Sequence, residues 1–222
     1  MKIVAFDIDG VILDSMAEFI TGTSKTLEKF GLPQISVKEY QKFSAATLEK
    51  WMECVASHVE IEDIHAFTLE YLEQRKNIKP KVFAEIIETI KKIKNSGYKI
   101  CIISNRPIFS YNEEIAPVLE DIGFDYIRCR DLDLNELGGR SKLCKPNPEY
   151  LDRVLGHFNA KPSDITYIGD LYEDYEFANK TGMNFIWAAY GQDNGRLASV
   201  SGLCKVEKPN EIPNIIMEFA KC

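Results

Sequence analysis

Four groups of polar residues, far apart in the chain, are of types that can do chemistry together. They are Asp7 and Asp9 in FDIDG, Ser104, Asn105 and Arg106 in IISNR, Lys145 in CKPNP, and Asp170 and Asp174 in GDLYED. Asp7 and Asp9 stand two residues apart where an apolar run ends, so on an extended chain their side chains project to one side and repel. A positive group between them is expected. Four carboxylates with no His or Cys beside them are hard oxygen donors, which suit Mg²⁺ better than zinc. Such an ion would neutralise part of an incoming phosphate. Ser104 offers that phosphate a hydroxyl, Asn105 a backbone N–H and Lys145 a point charge. A carboxylate can act as nucleophile in phosphoryl transfer, through an aspartyl-phosphate, and a second can protonate the leaving oxygen and then activate water.

These groups can cooperate only if the fold brings them to one edge. Residues 2–6 read as a short buried strand, with Gly10 turning the chain after it. From Pro80 onward strand and helix alternate, the pattern of a parallel sheet with crossover helices. Val82, Phe83, Ile86, Ile90 and Ile93 mark a helix before the strand YKICIIS, and Ile115, Val118, Leu119 and Ile122 a helix before the weaker strand FDYIRC. Tyr150, Leu151, Val154, Leu155 and Phe158 mark a helix before ITYIG, Phe177 and Ala178 one before NFIWAAY, and Ile215, Ile216 and Phe219 a last helix. Five strands are predicted. Right-handed crossovers put helices on both faces and align the carboxyl ends of the strands along one rim, where ligands bind in open α/β sheets. Asp7 and Asp9, Ser104 to Arg106, and Asp170 with Asp174 all follow strand ends, and Lys145 lies in a loop before the next helix.

Residues 15–79 need no strand. Phe19, Ile20, Leu27 and Phe30 mark one helix, ended by Gly31 and Pro33. Tyr40, Leu48, Trp51 and Val55 mark a second, and Ile64, Phe67, Tyr71 and Leu72 a third, closed by Asn77 and Pro80. The expected organisation is an α/β, Rossmann-like core of residues 1–14 and 80–222 with an inserted all-helical cap of residues 15–79. At 222 residues the chain can bury such a core. A formal net charge of −7 argues against a nucleic-acid or anionic-membrane surface. Cysteines 54, 101, 129, 144, 204 and 222 form no CxxC pair and no zinc spacing, and are expected to be free thiols in the cytoplasm. No apolar run approaches the length of a membrane span, and the first residues do not read as a signal peptide.

With these motifs in view, the sequence resembles the haloacid dehalogenase superfamily of phosphohydrolases over essentially its whole length. The family's D-x-D-G-x-x-x-D matches Asp7 to Asp14, its strand-end Ser or Thr matches Ser104, its Lys followed by Pro-x-Pro matches KPNPE at Lys145, and its G-D-x-x-x-D matches Gly169 to Asp174. The helical stretch looks like the small α-helical cap of the phosphoglycolate phosphatase and β-phosphoglucomutase branch. The resemblance implies a nucleophile at Asp7 and a general acid/base at Asp9. It also implies Mg²⁺ held by Asp7, the backbone carbonyl of Asp9 and Asp170, with Asp174 as a further or outer ligand, and Lys145 steadying Asp7 and the phosphoryl group. Asp9 disfavours carbon–halogen cleavage, since dehalogenases of the family lack that second acid. Val11 and Leu171 depart from the residues common at their positions, which bears on substrate and rate more than on reaction class.

The implied activity is Mg²⁺-dependent hydrolysis of a small phosphorylated metabolite. A β-phosphoglucomutase-like phosphomutase would use the same acids, and a non-catalytic phospho-receiver or scaffold also has an acidic pocket with a Lys. Among other residues, Arg106, Arg128, Arg130 and Arg140 could approach a phosphate, Arg106 foremost. Glu18, Thr21 and Lys25 are candidates to face a substrate from the first cap helix. His58, His65 and His157 have no partner at ligand spacing and read as ordinary surface or packing residues, and Trp51 and Trp187 read as core.

Overall fold

A computed structural model describes residues 2–40, 42–43, 47–131, 143–192 and 195–219. Its centre is a parallel sheet of six strands in the order β3-β2-β1-β4-β5-β6. These are β1 (Ile3–Phe6), β2 (Lys99–Pro107), β3 (Tyr126–Arg130), β4 (Ile165–Gly169), β5 (Asn184–Ala188) and β6 (Cys204–Val206). Five of the six follow the sequence pattern. The sixth was not anticipated, because three residues at a sheet edge carry no readable alternation.

Side chains of the central strands alternate between two cores. Val4, Phe6, Ile100, Ile102, Ile168 and Ile186 pack on one face with α5 (Ile86–Asn95) and α10 (Ile212–Phe219). Ile3, Ala5, Cys101, Ile103, Ile165 and Tyr167 pack on the other with α8 (Asp152–Phe158) and α9 (Tyr172–Thr181). The strands are buried on both faces, as parallel strands must be. In register, Phe6 lies level with Ile102 of β2 and Ile168 of β4. Residues that follow these three therefore emerge side by side at one rim.

Between β1 and α5 the chain forms α1 (Met16–Lys29), α2 (Val37–Tyr40), α3 (Leu48–Ala56) and α4 (Ile64–Arg75). The second expected helix is thus two. Its proposed apolar positions Tyr40 and Leu48 fall in different helices, and Thr47 opens α3 by accepting a hydrogen bond from Lys50 N. Asp63 caps α4 in the same way through Ala66 N. These helices close around their own apolar cluster, with Leu27, Tyr40, Trp51, Met52, Val55, Phe67, Tyr71 and Leu72 all buried. Chain exit and return meet at one point: Asp14 N donates to Lys81 O, Phe83 N donates to Ile12 O, and Lys81 pairs with Asp14. Val82 bridges Leu13 there and stands outside α5, so the predicted helix over 82–93 begins four residues later than its first apolar residue.

The predicted helix through Ile115 and Ile122 is broken into α6 (Ile108–Ser110), a π-helical turn (Tyr111–Ile115), α7 (Ala116–Leu119) and a 3₁₀ turn (Glu120–Ile122). Pro117 stands just inside α7, where its missing N–H is tolerated. The π turn carries Glu114. No described helix is long and apolar enough to cross a membrane. Cysteines 54, 101, 129, 144 and 204 form no disulfide among the described residues, and Cys222 lies outside them.

Candidate active site

The expected rim residues converge at the carboxyl ends of β1, β2 and β4. Asp7 leaves β1 with its N–H on Ile168 O and its carboxylate accepting from Ile8 N at 2.7 Å. Asp170 leaves β4, and Asp174 sits in the first turn of α9, where negative charge is favoured. One oxygen of Asp174 accepts from Leu171 N at 3.1 Å and fixes the helix start. Gly10 turns the chain at φ +76, and a Cβ there would lie 1.7 Å from Asp170 Oδ2, so the loop can approach that carboxylate only as glycine.

Asp7, Asp170 and Asp174 are buried, and each presents an oxygen within 4.8 Å of the others. The buried ammonium of Lys145 answers part of their charge, at 2.8 Å from Asp7 Oδ2 and 2.7 Å from Asp174 Oδ1. Burial pushes the Asp7 carboxyl up to about 6 against the pull of Lys145. Burial, then Asp174 and Asp7, carry Asp170 well above the usual carboxylate range. Burial disfavours the charge on Lys145, but Asp174 and Asp7 outweigh it and raise its pKa. Asp170 Oδ2 accepts from Gln192 N at 2.8 Å, whereas buried Oδ1 has no partner among the described residues. An orphaned buried oxygen within a cluster of acids that one lysine does not balance fits a hard divalent cation. Among the described residues no His or Cys joins this cluster, so the donors do not suit zinc.

Asp7 and Asp9 do not share one positive group, as their spacing suggested. β1 ends at Phe6 and the chain bends, so each carboxylate meets its own cation. Lys145 takes Asp7, and Arg106 takes Asp9 side-on, with Nε to Oδ2 at 3.2 Å and Nη2 to Oδ1 at 2.5 Å. Burial would raise the Asp9 carboxyl, and Arg106 reverses this and holds it below its ordinary value. The Asp9 carboxylate is outside the buried trio, while its expected role toward a metal concerned the backbone carbonyl.

Ser104, Asn105 and Lys145 line the same cavity as Asp7 and Asp9. The Asn105 side chain clamps the backbone of Lys145, accepting from its N–H at 2.8 Å and donating to its carbonyl at 3.0 Å. Sequence alone suggested only the Asn105 main chain as a phosphate donor. Tyr167 was also missed: its hydroxyl lies 2.6 Å from Lys145 Nζ and 2.9 Å from Asp174 Oδ1. In ITYIG it reads as one more core aromatic. Gln192 was not singled out either, though it ties Asp170 to Ser15 Oγ through a side-chain bond of 2.8 Å.

The helices roof the cavity with Phe19, Thr47, Leu48, Trp51, Leu72 and Arg75. Trp51 is buried in the helical cluster and also faces the cavity, so the core reading of it was incomplete. Arg75, absent from the sequence reading, is 6% exposed and donates to Glu18 at 3.0 Å and Glu114 at 3.4 Å. Arg75 follows Phe67 and Tyr71 at helical spacing on the buried face of α4, a signal outweighed by the usual exposure of arginine. Glu18 is thus committed to Arg75. Thr21 and Lys25 are exposed and do not line the cavity, because they fall on the outer face of α1.

Of the other arginines, Arg128 packs over the Tyr150 ring at 4.1 Å and pairs with Asp131, and Arg130 pairs with Glu49 of α3 through two bonds of 2.8 and 2.9 Å. Neither lines the cavity. Arg140 lies outside the described residues. His58, His65 and His157 are exposed, and Trp187 is buried in contact with Lys205.

The family model described as haloacid dehalogenase-like hydrolase matches residues 4–188. A phosphoglycolate phosphatase of Haemophilus influenzae is 25% identical over 203 residues, which cover 86% of each chain. A crystal structure of a predicted phosphoglycolate phosphatase from Haemophilus somnus superposes with a TM-score of 0.78 at 18% identity, over 97% of this chain and 98% of that one. A putative β-phosphoglucomutase structure from Thermotoga maritima superposes with a TM-score of 0.72 at 21% identity, over 98% and 99%.

Proposed function

Since the chain belongs to the haloacid dehalogenase-like hydrolases and is a phosphatase, we propose that it hydrolyses a small phosphomonoester with Mg²⁺ through an aspartyl-phosphate on Asp7. One observation carries this reading: three buried carboxylates, an orphaned oxygen of Asp170 and the Lys145 ammonium meet where β1, β2 and β4 end. Asp7, the backbone carbonyl of Asp9 and Asp170 would hold the metal, with Asp174 as a further ligand. Bound there, Mg²⁺ would supply charge against the phosphoryl oxygens and bring Asp7 to its ionised form.

The residues then divide the work. Asp7 attacks phosphorus as the bond to the leaving oxygen breaks, and Asp9, once turned from Arg106 and carrying a proton taken from solvent, gives that proton to the oxygen. Asp9 next takes a proton from water, which attacks phosphorus, frees phosphate and restores Asp7. Lys145, oriented by Asn105 and Tyr167, holds charge beside Asp7 throughout, and Ser104 and Asn105 receive the phosphoryl oxygens. Residues 15–79 would act as a cap over the core of residues 1–14 and 80–222, closing the cavity to water.

The name of the Haemophilus influenzae relative makes 2-phosphoglycolate the first substrate to test. The test is phosphate release from 2-phosphoglycolate, sugar phosphates, nucleoside monophosphates and an aryl phosphate, with Mg²⁺ or chelator, beside the Asp7→Asn variant. Metal-dependent release lost in the variant supports the proposal, and no release from folded protein overturns it. A phosphomutase reading draws support from the likeness to a putative β-phosphoglucomutase and from the presence of Asp9. It requires dependence on a bisphosphate activator and slow net hydrolysis. The receiver reading gives way to membership of a hydrolase family.

A further inference from the structure

Ser15 stands at the N-cap of α1 and does not cap it. A serine there ordinarily accepts a hydrogen bond from a main-chain N–H of the first turn, as Thr47 does for α3 and the carboxylate of Asp63 for α4. Ser15 instead keeps helical backbone angles, φ −87 and ψ −10, and makes no side-chain cap bond. Its buried hydroxyl accepts from Gln192 Nε2 at 2.8 Å. The main-chain N–H of Gln192 donates to Asp170 Oδ2, also at 2.8 Å. One residue thus holds a carboxylate of the acidic cluster with its main chain, and the residue that opens the helical insertion with its side chain.

The chain around Gln192 leaves it little freedom. Tyr190 donates its hydroxyl to Val11 O at 3.0 Å. A Cβ on Gly191 would lie 2.3 Å from Gly10 O and 2.5 Å from Asp170 Cβ, so the backbone can press this close only as glycine. Tyr190, Gly191 and Gln192 therefore lie in turn against Val11, Gly10 and Ser15, along the link from β1 to α1. At the other end of the tie, Asp170 is held through Oδ2, while its buried Oδ1 has no partner among the described residues. A carboxylate held at one oxygen can still turn about Cβ–Cγ. A cation on Oδ1 would fix its plane and keep Oδ2 aimed at Gln192 N. Beyond Ser15, the carbonyl of that residue accepts from Phe19 N at 2.9 Å, and Phe19 is part of the cavity roof. We propose that Gln192 is a positioning residue that couples the cation site at Asp170 to the base of the cap, so that an ion in the acidic cluster steadies the first turn of α1. This rests on the proposed Mg²⁺ site and cap, and adds the residue that joins them. Main chain and side chain have separate tasks here, so a substitution can divide them. Gln192→Ala keeps the N–H on Asp170 and loses the hold on Ser15.

The test is hydrogen exchange of the full chain, read peptide by peptide by mass spectrometry with Mg²⁺ or with chelator, because exchange reports local opening. In wild type, Mg²⁺ should slow exchange over residues 16–20 about fivefold or more, the lower end of ordinary coupling between sites, and leave α3 within about twofold. In Gln192→Ala the slowing over residues 16–20 should fall below about twofold, while Mg²⁺ still raises the melting temperature as it does in wild type. Ser15→Ala cuts the tie from its other end and should behave alike, and it decides the matter if Gln192→Ala fails to melt cooperatively. A clamp that served structure alone would speed exchange in the variant by the same factor with Mg²⁺ and with chelator, and that result overturns the proposal. Wild-type slowing that is absent, or equal in α1 and α3, overturns it as well. A wild-type melting temperature indifferent to Mg²⁺ would remove the metal site and this inference with it, and so is told apart from a failure of the coupling alone.

Discussion

Two acidic clusters share one cavity and are balanced in opposite ways. Around Asp7, three buried carboxylates face one lysine, and an oxygen of Asp170 has no partner. Around Asp9, two guanidiniums face three carboxylates in a chain of pairs, Asp9 to Arg106 to Glu114 to Arg75 to Glu18. The first cluster carries more negative charge than its lysine answers, and the second has its cations built in. The contrast separates the two acids of FDIDG by surroundings. Asp7 lies among carboxylates that one lysine does not balance, and Asp9 lies in a closed pair with Arg106.

The largest effect should come from breaking the first cluster. Asp7→Asn removes the proposed nucleophile and should lower metal-dependent phosphate release by at least about 10³-fold, measured on protein whose melting is cooperative. Asp170→Asn should weaken apparent Mg²⁺ affinity by about tenfold or more. Its readout is the magnesium dependence of the melting temperature, since an ion that binds only the folded state raises it. Lys145→Met leaves Asp7 and Asp174 buried without their ammonium and should cost about 3–5 kcal/mol in chelator, by the measure of a buried pair deprived of one partner. Added Mg²⁺ should recover part of that loss by denaturant titration, and no recovery would mean that the cluster does not take the ion.

Smaller effects belong to the pair that joins the helices to the sheet edge. Glu49→Gln leaves the buried Arg130 without its anion and should cost about 1–3 kcal/mol. Burial would raise the Glu49 carboxyl, but Arg130 lowers it below its usual 4.5. A depressed carboxyl contributes stability that is full above its unfolded value and is lost as pH falls through the folded one. The wild-type loss below about pH 4.5 should therefore exceed that of Glu49→Gln, read from melting temperatures across that range.

Most of the sheet and the rim were legible in sequence, because strand alternation and polar residues after apolar runs are local signals. Asp7, Ser104, Lys145, Asp170 and Asp174 each stand where such a signal ends, and one edge of a parallel sheet gathers them. What was illegible depends on tertiary direction. Arg75 reads as the polar end of a helix, Tyr167 as a core aromatic and Glu49 as a first-turn acid until the fold turns each toward a distant partner. Thr21 and Lys25 failed for the same reason, since the two faces of α1 look alike in sequence and only packing tells which meets the cavity. The pairing of Arg106 with Asp9 spans 97 positions, and no local pattern announces it.

The most direct test of the account is an acid quench of the Mg²⁺-loaded enzyme turning over 2-phosphoglycolate, followed by mass spectrometric mapping of phosphoryl groups. The account predicts a phosphorylated peptide containing Asp7, absent from Asp7→Asn. Phosphate release by wild type, with that peptide unphosphorylated under conditions that preserve an acyl phosphate standard, would contradict it.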